Sequence, residues 1–198
     1  MIADFYRDHA PHGLLPELPT TWRLLLEALC DEIAPKDRKA LSEFCLNDPM
    51  YVNCLSVVTG RRAFKTTMQA LFASYAATEL GADEVMFVSA DPSARASFDK
   101  LVRAFGQPPI PSRAGLAGDC DGDFVYVGRG DDGDMDMNFS VFSGGNVMKY
   151  LKWQLGDTTV LAIGPTWRFN PIATPEECLR VSDGRPDAFV RDFCPIGG

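Results

Sequence analysis

The chain has 198 residues, of which 46% are apolar and 23% are charged, and its formal net charge is −8. This composition predicts a globular core rather than a disordered chain, and the length predicts one domain or one domain with short extensions. The acidic balance argues against broad, nonspecific nucleic-acid binding by the whole surface.

Three further features bear on where the protein resides. No apolar run reaches the ~18–20 residues that a membrane helix needs. The first residues, MIADFYRDHAPHG, lack the basic and apolar regions of a secretory signal. The six cysteines are scattered without a CxxC pair, which argues against a zinc site and a disulfide framework. We therefore expect an intracellular protein with reduced thiols that is not secreted and has no membrane partner.

Residues 1–49 are predicted to form an N-terminal arm followed by helices. Prolines and glycines within residues 1–19 indicate an irregular arm. The segment TTWRLLLEALCDEI (20–33) has apolar residues at helical spacing, with Thr20 or Thr21 as its N-cap. The segment DRKALSEFCL (37–46) predicts a second, shorter helix.

From residue 50 onward, short apolar strands alternate with amphipathic helices. The predicted strands are 54–59, 84–89, 123–128, 137–143 and 158–164. The predicted helices are 66–80, 91–105, 144–155 and a last one that a capping box opens at Thr174, Pro175 and Glu177. Residues 106–122 are predicted to be a loop, and the strands on either side of RGDDGDMD to form a hairpin. The alternation predicts a three-layer α/β fold over residues 50–198, with a mainly parallel sheet and helices on both faces.

The segment SVVTGRRAFKTT (56–67) is placed like a phosphate-binding loop. A β-branched strand leads into Gly60, and a helix is predicted behind Lys65. In such loops backbone N–H groups cradle the phosphates, a lysine reaches the terminal phosphates, and the next hydroxyl holds magnesium. Here the lysine is Lys65 and the hydroxyl is that of Thr66.

Two positions of this loop depart from the pattern G-x-x-x-x-G-K-[ST]. The pattern would place glycines at 59 and 64, where the chain has Thr59 and Phe64. Gly60 compensates in part for the first departure. If position 64 needed a positive φ, Phe would cost ~1–2 kcal/mol and bring a ring near the phosphates. From these residues alone, a nucleotide site and a basic turn that caps a helix are both open.

The surroundings of the loop resemble the ATPase domain of viral DNA-packaging terminase large subunits, of both tailed phages and herpesviruses. The segments that carry the likeness are VVTGRRAFKTT, EVMFVSADPSARASFDKLVRAFG, the hairpin and FSVFSGGNVMKYLKWQLGDTTVLAIG. In that family the loop often reads as two basic residues, a variable residue and Gly-Lys-Thr, which residues 60–66 match except at Phe64. The likeness covers residues 50–180, and we expect no nuclease domain in a chain that ends at Gly198.

The resemblance implies a P-loop-NTPase-like fold with ATP and Mg²⁺ as cofactors. The residues that it implies for nucleotide binding are Gly60, Arg61, Lys65, Thr66 and Thr67. It implies that Thr66 also contacts the metal and that Arg62 acts catalytically by stabilising charge on the γ-phosphate. The implied partners are double-stranded DNA, other viral packaging proteins and further copies of the chain, in the cytoplasm or nucleus of an infected host.

The strand that should carry the Walker B carboxylates departs from the family pattern. It ends in Ala162-Ile163-Gly164-Pro165, while Glu176 and Asp183 lie beyond it. The missing pair would position the magnesium shell and orient the attacking water, and one such electrostatic contribution is worth ~10²–10³ in rate. We therefore expect a terminase-like module with weak or lost ATP hydrolysis. The alternative is a non-catalytic interaction or assembly module on an α/β fold that binds no nucleotide.

A run of aspartates around the predicted hairpin invites a calcium interpretation. Its members are Asp119, Asp121, Asp123, Asp131, Asp132, Asp134 and Asp136. A calcium loop that began at residue 119 would need Gly at its sixth position and Glu at its twelfth, where the chain has Phe124 and Gly130. We therefore expect these carboxylates to lie on a solvated hairpin.

Overall fold

The computed structural model of the chain describes residues 1–43, 51–115, 122–128, 135–142 and 158–194. Within these ranges the chain forms six strands and eight helices. The strands are β1 (Cys54–Thr59), β2 (Glu84–Ser89), β3 (Ser112–Ala114), β4 (Gly122–Gly128), β5 (Met135–Phe142) and β6 (Thr159–Gly164). The helices are α1 (Ile2–His9), α2 (Thr20–Leu29), α3 (Pro35–Ser42), α4 (Lys65–Thr78), α5 (Pro92–Ala104), α6 (Thr166–Phe169), α7 (Pro175–Val181) and α8 (Pro186–Phe193).

The six strands form one sheet in the order β3-β2-β4-β5-β1-β6. β1 is an internal strand that runs parallel to both of its neighbours, β5 and β6. β4 runs antiparallel to β2 and β5. The predicted α/β class is therefore confirmed. Among the described strands the sheet is mixed, with three parallel and two antiparallel strand pairs, and β4 and β5 are antiparallel as expected of the hairpin. The ends of β1, β2, β5 and β6 and the start of β4 lie at one side of the sheet, which we call the carboxyl edge.

Alternation along the strands separates two apolar faces. On β1, Leu55 and Val57 enter the main core, whereas Val58 belongs to a second, smaller cluster. The main core also contains the buried faces of α1, α2, α4 and α5. The second cluster consists of Val58, Phe124, Phe142 and Leu161. The helix predicted over 144–155, which the expected layer on the second face would need, lies outside the described residues.

The N-terminal residues are not the irregular arm that their prolines and glycines predict. Ile2, Phe5 and Tyr6 lie at helical spacing on α1 and are buried in the main core. The N–H of Ile2 donates to Glu32 Oε2 at 2.8 Å, and the other oxygen of Glu32 accepts from the hydroxyl of Tyr75 on α4. The prediction failed because three correctly spaced apolar residues bury enough surface to hold one short helix.

Three other predictions about single elements need correction. α2 begins at Thr20, but Pro19 is its N-cap and Thr21 donates instead to the carbonyl of Arg168 at 2.8 Å. The predicted loop 106–122 contains the short edge strand β3. The helix that begins after Thr174 is followed by a further helix, α8. The predicted cap of α7 is confirmed, because Thr174 Oγ1 accepts from the N–H of Glu177 at 3.1 Å.

Candidate phosphate-binding loop

The lysine-bearing loop lies at the carboxyl edge, behind the internal strand β1. β1 ends at Thr59, residues 60–64 form the turn, and α4 begins at Lys65. α4 is 14 residues long, and its first turn carries no acidic side chain. The backbone N–H groups at a helix start carry partial positive charge. The sequence placed this loop correctly between a central parallel strand and a helix.

Three consecutive loop carbonyls are held by buried side chains from α2 and the α6 region. Thr166 Oγ1 donates to the carbonyl of Arg61 at 2.9 Å, Asn170 Nδ2 to that of Arg62 at 2.8 Å, and Trp22 Nε1 to that of Ala63 at 2.9 Å. α2 and α6 are themselves packed together, with the rings of Trp22 and Phe169 5.1 Å apart. We call these three donors the loop anchors.

The loop anchors fix the direction of the following N–H groups. A trans peptide unit is planar, so its N–H points away from its carbonyl oxygen. The N–H groups of Arg62, Ala63 and Phe64 therefore point away from the anchors. Among the described residues no hydrogen bond engages these three N–H groups. Arg62 is exposed and Phe64 is half-buried, so an anion can reach their N–H groups, whereas Ala63 is fully buried.

Position 64 has the backbone conformation that a glycine would normally supply. Phe64 has φ 63° and ψ 19°, in the left-handed region, and Arg62 also has φ 63°. A side chain costs ~1–2 kcal/mol in this conformation, so Phe64 carries backbone strain. Its half-buried ring packs against the main core, which offsets part of that strain. Position 64 therefore has the positive φ that the loop pattern would need, although its residue is Phe and not Gly.

Lys65 is turned back toward its own loop. Its Nζ donates to the carbonyls of Thr59 and Gly60, both at 3.1 Å. Burial lowers the pKa of Lys65 to about 8, the nearby carboxylate of Asp123 acts in the opposite direction, and Arg61 lowers the pKa further. The side chain is therefore still mainly cationic at pH 7 but loses its proton at a mildly alkaline pH.

An open cleft of about 420 Å³ lies against the loop and is lined by residues 62–67 and Asn170. This volume falls in the ~300–1,000 Å³ range that is usual for small-molecule sites. Four of the predicted site residues, Arg62, Lys65, Thr66 and Thr67, are thus brought together at one cavity. The cleft is large enough for a ligand of phosphate size or larger that contacts all four residues.

Gly60 and Arg61 do not line this cleft. A Cβ at position 60 would lie 2.5 Å from Phe193 Cα and 2.7 Å from the carbonyl oxygen of Asp192, so only glycine lets α8 approach the end of β1. The N–H of Arg61 donates to that same carbonyl at 2.6 Å. Its guanidinium lies 3.6 Å from the carboxylate of Asp192. Both residues join the loop to α8, and their contact with a nucleotide stays a prediction.

The end of β6 brings no carboxylate to the site. Gly164 pairs with Thr59 in the parallel register, and Pro165 and Thr166 follow it. A carboxylate arrives instead from β4, because this reversed strand starts at the carboxyl edge. Asp123 is half-buried there and hydrogen-bonded to Ser89, and burial raises the pKa of its carboxyl group.

The expectation of a solvated hairpin is wrong for Asp123, since the reversal of β4 brings its start to the carboxyl edge. The side chains of the other aspartates in that run lie outside the described residues. Across the described ranges, no group of three or more His, Cys, Asp and Glu side chains could hold a metal ion. The residues at the cleft therefore fit phosphate oxygens, and the contact of Thr66 with a metal stays a prediction.

Sequence reasoning missed the loop anchors. They lie 41, 105 and 108 residues from the carbonyls that they bind. Such separations leave no local spacing signal. Trp167, which follows the anchor Thr166, instead stacks on Phe189 with ring centroids 5.8 Å apart.

No family model matches the chain, and searches of curated proteins and of solved structures find no match either. Among the described residues no helix is both long and apolar enough to cross a membrane.

Proposed function

We propose that the chain is a terminase-like module of the P-loop type that binds the phosphates of ATP and hydrolyses it weakly or not at all. The observation that carries the proposal is the pair of unengaged N–H donors at Arg62 and Phe64, beside Lys65 and at the start of α4. Backbone N–H groups and a helix start together favour a bound phosphate.

Each element of the cleft has a separate role in binding. The N–H groups of Arg62 and Phe64 donate to phosphate oxygens, and the loop anchors hold them in place without ligand, so little ordering is needed on binding. Lys65 exchanges its two loop carbonyls for a charged phosphate, which makes stronger, charge-assisted hydrogen bonds. The exposed Arg62 lines the cleft and adds a second cation.

The proposed weakness of hydrolysis follows from the missing carboxylates. Gly164 and Pro165 stand where a metal-positioning and a water-orienting carboxylate would be needed. The carboxyl group of Asp123 is hydrogen-bonded to Ser89, and burial raises the pKa of this group. Magnesium, with Thr66 as its contact, is a proposed cofactor that rests on the family resemblance alone. Double-stranded DNA, other packaging proteins and further copies of the chain are proposed partners that rest on the family resemblance alone.

Binding is tested by unfolding the full chain with and without ATP, and with and without inorganic tripolyphosphate. At ~100 times its dissociation constant, a ligand adds ~2.7 kcal/mol to the free energy of unfolding. Lys65→Ala is expected to remove most of this gain. Lys100→Ala is the matched control, because Lys100 is exposed on α5 and does not line the cleft. No gain with either ligand would contradict the proposal and support the non-catalytic interaction module.

Hydrolysis is tested separately by phosphate release from ATP in the presence of magnesium. The expected result is no turnover that depends on Lys65. Turnover of about 1 s⁻¹ or faster that disappears in Lys65→Ala would contradict the proposed loss of catalysis, since typical enzymes work at ~1–10³ s⁻¹.

A further inference from the structure

A second cavity adjoins the phosphate cleft. It measures about 200 Å³ and shares two wall residues with the cleft, Arg62 and Asn170. We call it the side slot. Its remaining walls come from the segment after α6, from α7 and from the end of α8, and they include Ile172, Cys178 and Phe193. Of the residues that line the side slot, only Asn170 is a loop anchor.

The side slot differs from the cleft in its chemistry. The cleft is lined by loop backbone, a lysine and two threonines, whereas the slot is walled mainly by Ile172, Val181, Cys178 and Phe193. Cys178 and Phe193 are buried, and Ile172 is 65% exposed at the mouth. Glu177 contributes one carboxylate to the rim. Such a site accepts a flat apolar ring with a polar edge rather than a second phosphate.

Because the two cavities share a wall, one ligand can occupy both. Asn170 is fixed there, because its Nδ2 donates to the carbonyl of Arg62 and its Oδ1 accepts the N–H of Ile172 at 3.0 Å. Arg62 is exposed between the two cavities. A volume of 200 Å³ equals that of about six or seven water molecules, enough for one flat ring system.

We propose that the side slot takes the base of a nucleoside triphosphate whose phosphates lie in the neighbouring cleft. This inference rests on the proposed function, and it names the second half of the ligand. Apolar walls remove ring surface from water. Oε1 of Glu177 already accepts from Arg180 at 2.8 Å, and its Oε2 accepts a hydrogen bond from an amino group at the edge of the ring. The slot therefore distinguishes a nucleotide from a bare polyphosphate.

The test compares the binding of ATP and of inorganic tripolyphosphate to the full chain by calorimetry without magnesium. ATP is expected to bind about tenfold more tightly than tripolyphosphate, because only ATP buries a ring. Ala173→Trp fills the slot and is expected to remove this tenfold difference while tripolyphosphate binding is kept. Ala96→Trp, on the exposed face of α5, is the matched control and keeps the difference.

Ile172→Ala guards against misfolding of the tryptophan variant, because Ile172 is largely exposed. It is expected to weaken ATP binding severalfold and to leave tripolyphosphate binding unchanged. Equal affinity of the unmodified chain for ATP and tripolyphosphate would overturn the base site alone and leave the phosphate site standing. An ATP preference that persists in both slot variants would do the same. Absence of binding by both ligands would overturn the proposed function and this inference together.

Discussion

The ends of β1 and β6 lie side by side at the carboxyl edge, but they carry different chemistry. After β1 come a left-handed turn, outward N–H donors and Lys65. β6 ends at Gly164, and Pro165 follows it, and then Thr166 and Asn170, which serve as donors to the β1 loop. The end of β1 carries the groups proposed to bind an anion, and the residues after β6 hold that loop in position by hydrogen bonds.

Under the proposed function, this difference separates phosphate binding from hydrolysis within one sheet edge. The groups that attract phosphate are held by buried hydrogen bonds that need no ligand. A hydrolytic site would also need carboxylates at the neighbouring strand end, and that position is used for support instead. The four predictions below test this division, beginning with the largest expected effect.

The contact that joins the two strand ends to α8 is broken by Gly60→Ala. The added Cβ meets the backbone of Phe193 and Asp192, which cannot rotate away as a side chain could. We expect the free energy of unfolding to fall by ~2–4 kcal/mol in urea titrations. Gly81→Ala is the control, because Gly81 has φ 64° with open space around it, and only ~1 kcal/mol of backbone strain is expected there. Equal losses in both variants would contradict the close approach of α8.

The charge of the β1 loop is measured by the pH dependence of stability. Lys65 has its pKa lowered from 10.5 to about 8 in the folded chain. Between these two pH values the unfolded chain binds more protons, so stability rises with pH there and is flat below about 8. The difference between the unmodified chain and Lys65→Met should rise by ~1–3 kcal/mol across this window. A flat difference curve would show that Lys65 is well solvated.

The support of the loop is tested by Trp22→Phe. Phe keeps most of the buried ring but leaves the carbonyl of Ala63 without its donor, so we expect a loss of ~1–3 kcal/mol and weaker tripolyphosphate binding. Trp167→Phe is the matched control, because Trp167 stacks on Phe189 and does not anchor the loop. If Trp22→Phe lowered stability without changing tripolyphosphate affinity, the anchor would have no part in binding.

The smallest effect separates the two roles of Phe64. Phe64→Gly and Phe64→Ala remove the same ring, but only glycine relieves the strain of φ 63°. We therefore expect the free energy of unfolding of the glycine variant to be ~1 kcal/mol higher than that of the alanine variant. The glycine variant is expected to bind tripolyphosphate at least as tightly as the alanine variant. The opposite order of stability would mean that position 64 is not left-handed.

Local signals predicted most of the fold that positions the site. Residues 54–59 and 84–89 were predicted as strands with the bounds that the structure has, because short β-branched runs between turn residues have few alternatives. The helix predicted over 91–105 is present as α5, and Asp91 caps it by accepting the N–H of Ser93 at 2.8 Å. The start of α4 was predicted within one residue, at Thr66 rather than at Lys65.

The parts that could not be predicted depend on long-range contacts. Nothing near Trp22 or Asn170 in the sequence indicates that each holds a carbonyl of the loop. Asp123 was misjudged because its neighbours in sequence are acidic, whereas the reversal of β4 decides where its side chain lies. Phe64 was judged by residue type, and the structure shows that backbone conformation can be kept when the favoured residue is absent.

The inward position of Lys65 has a consequence for selectivity toward ordinary salt. Its ammonium group already has two carbonyl acceptors, so an incoming anion must offer more than these to draw it out. Chloride presents a single weak acceptor and would leave the side chain where it is. A polyphosphate presents several charged oxygens at once, and can engage the ammonium and the backbone donors together. The loop would thus favour a polyphosphate over chloride.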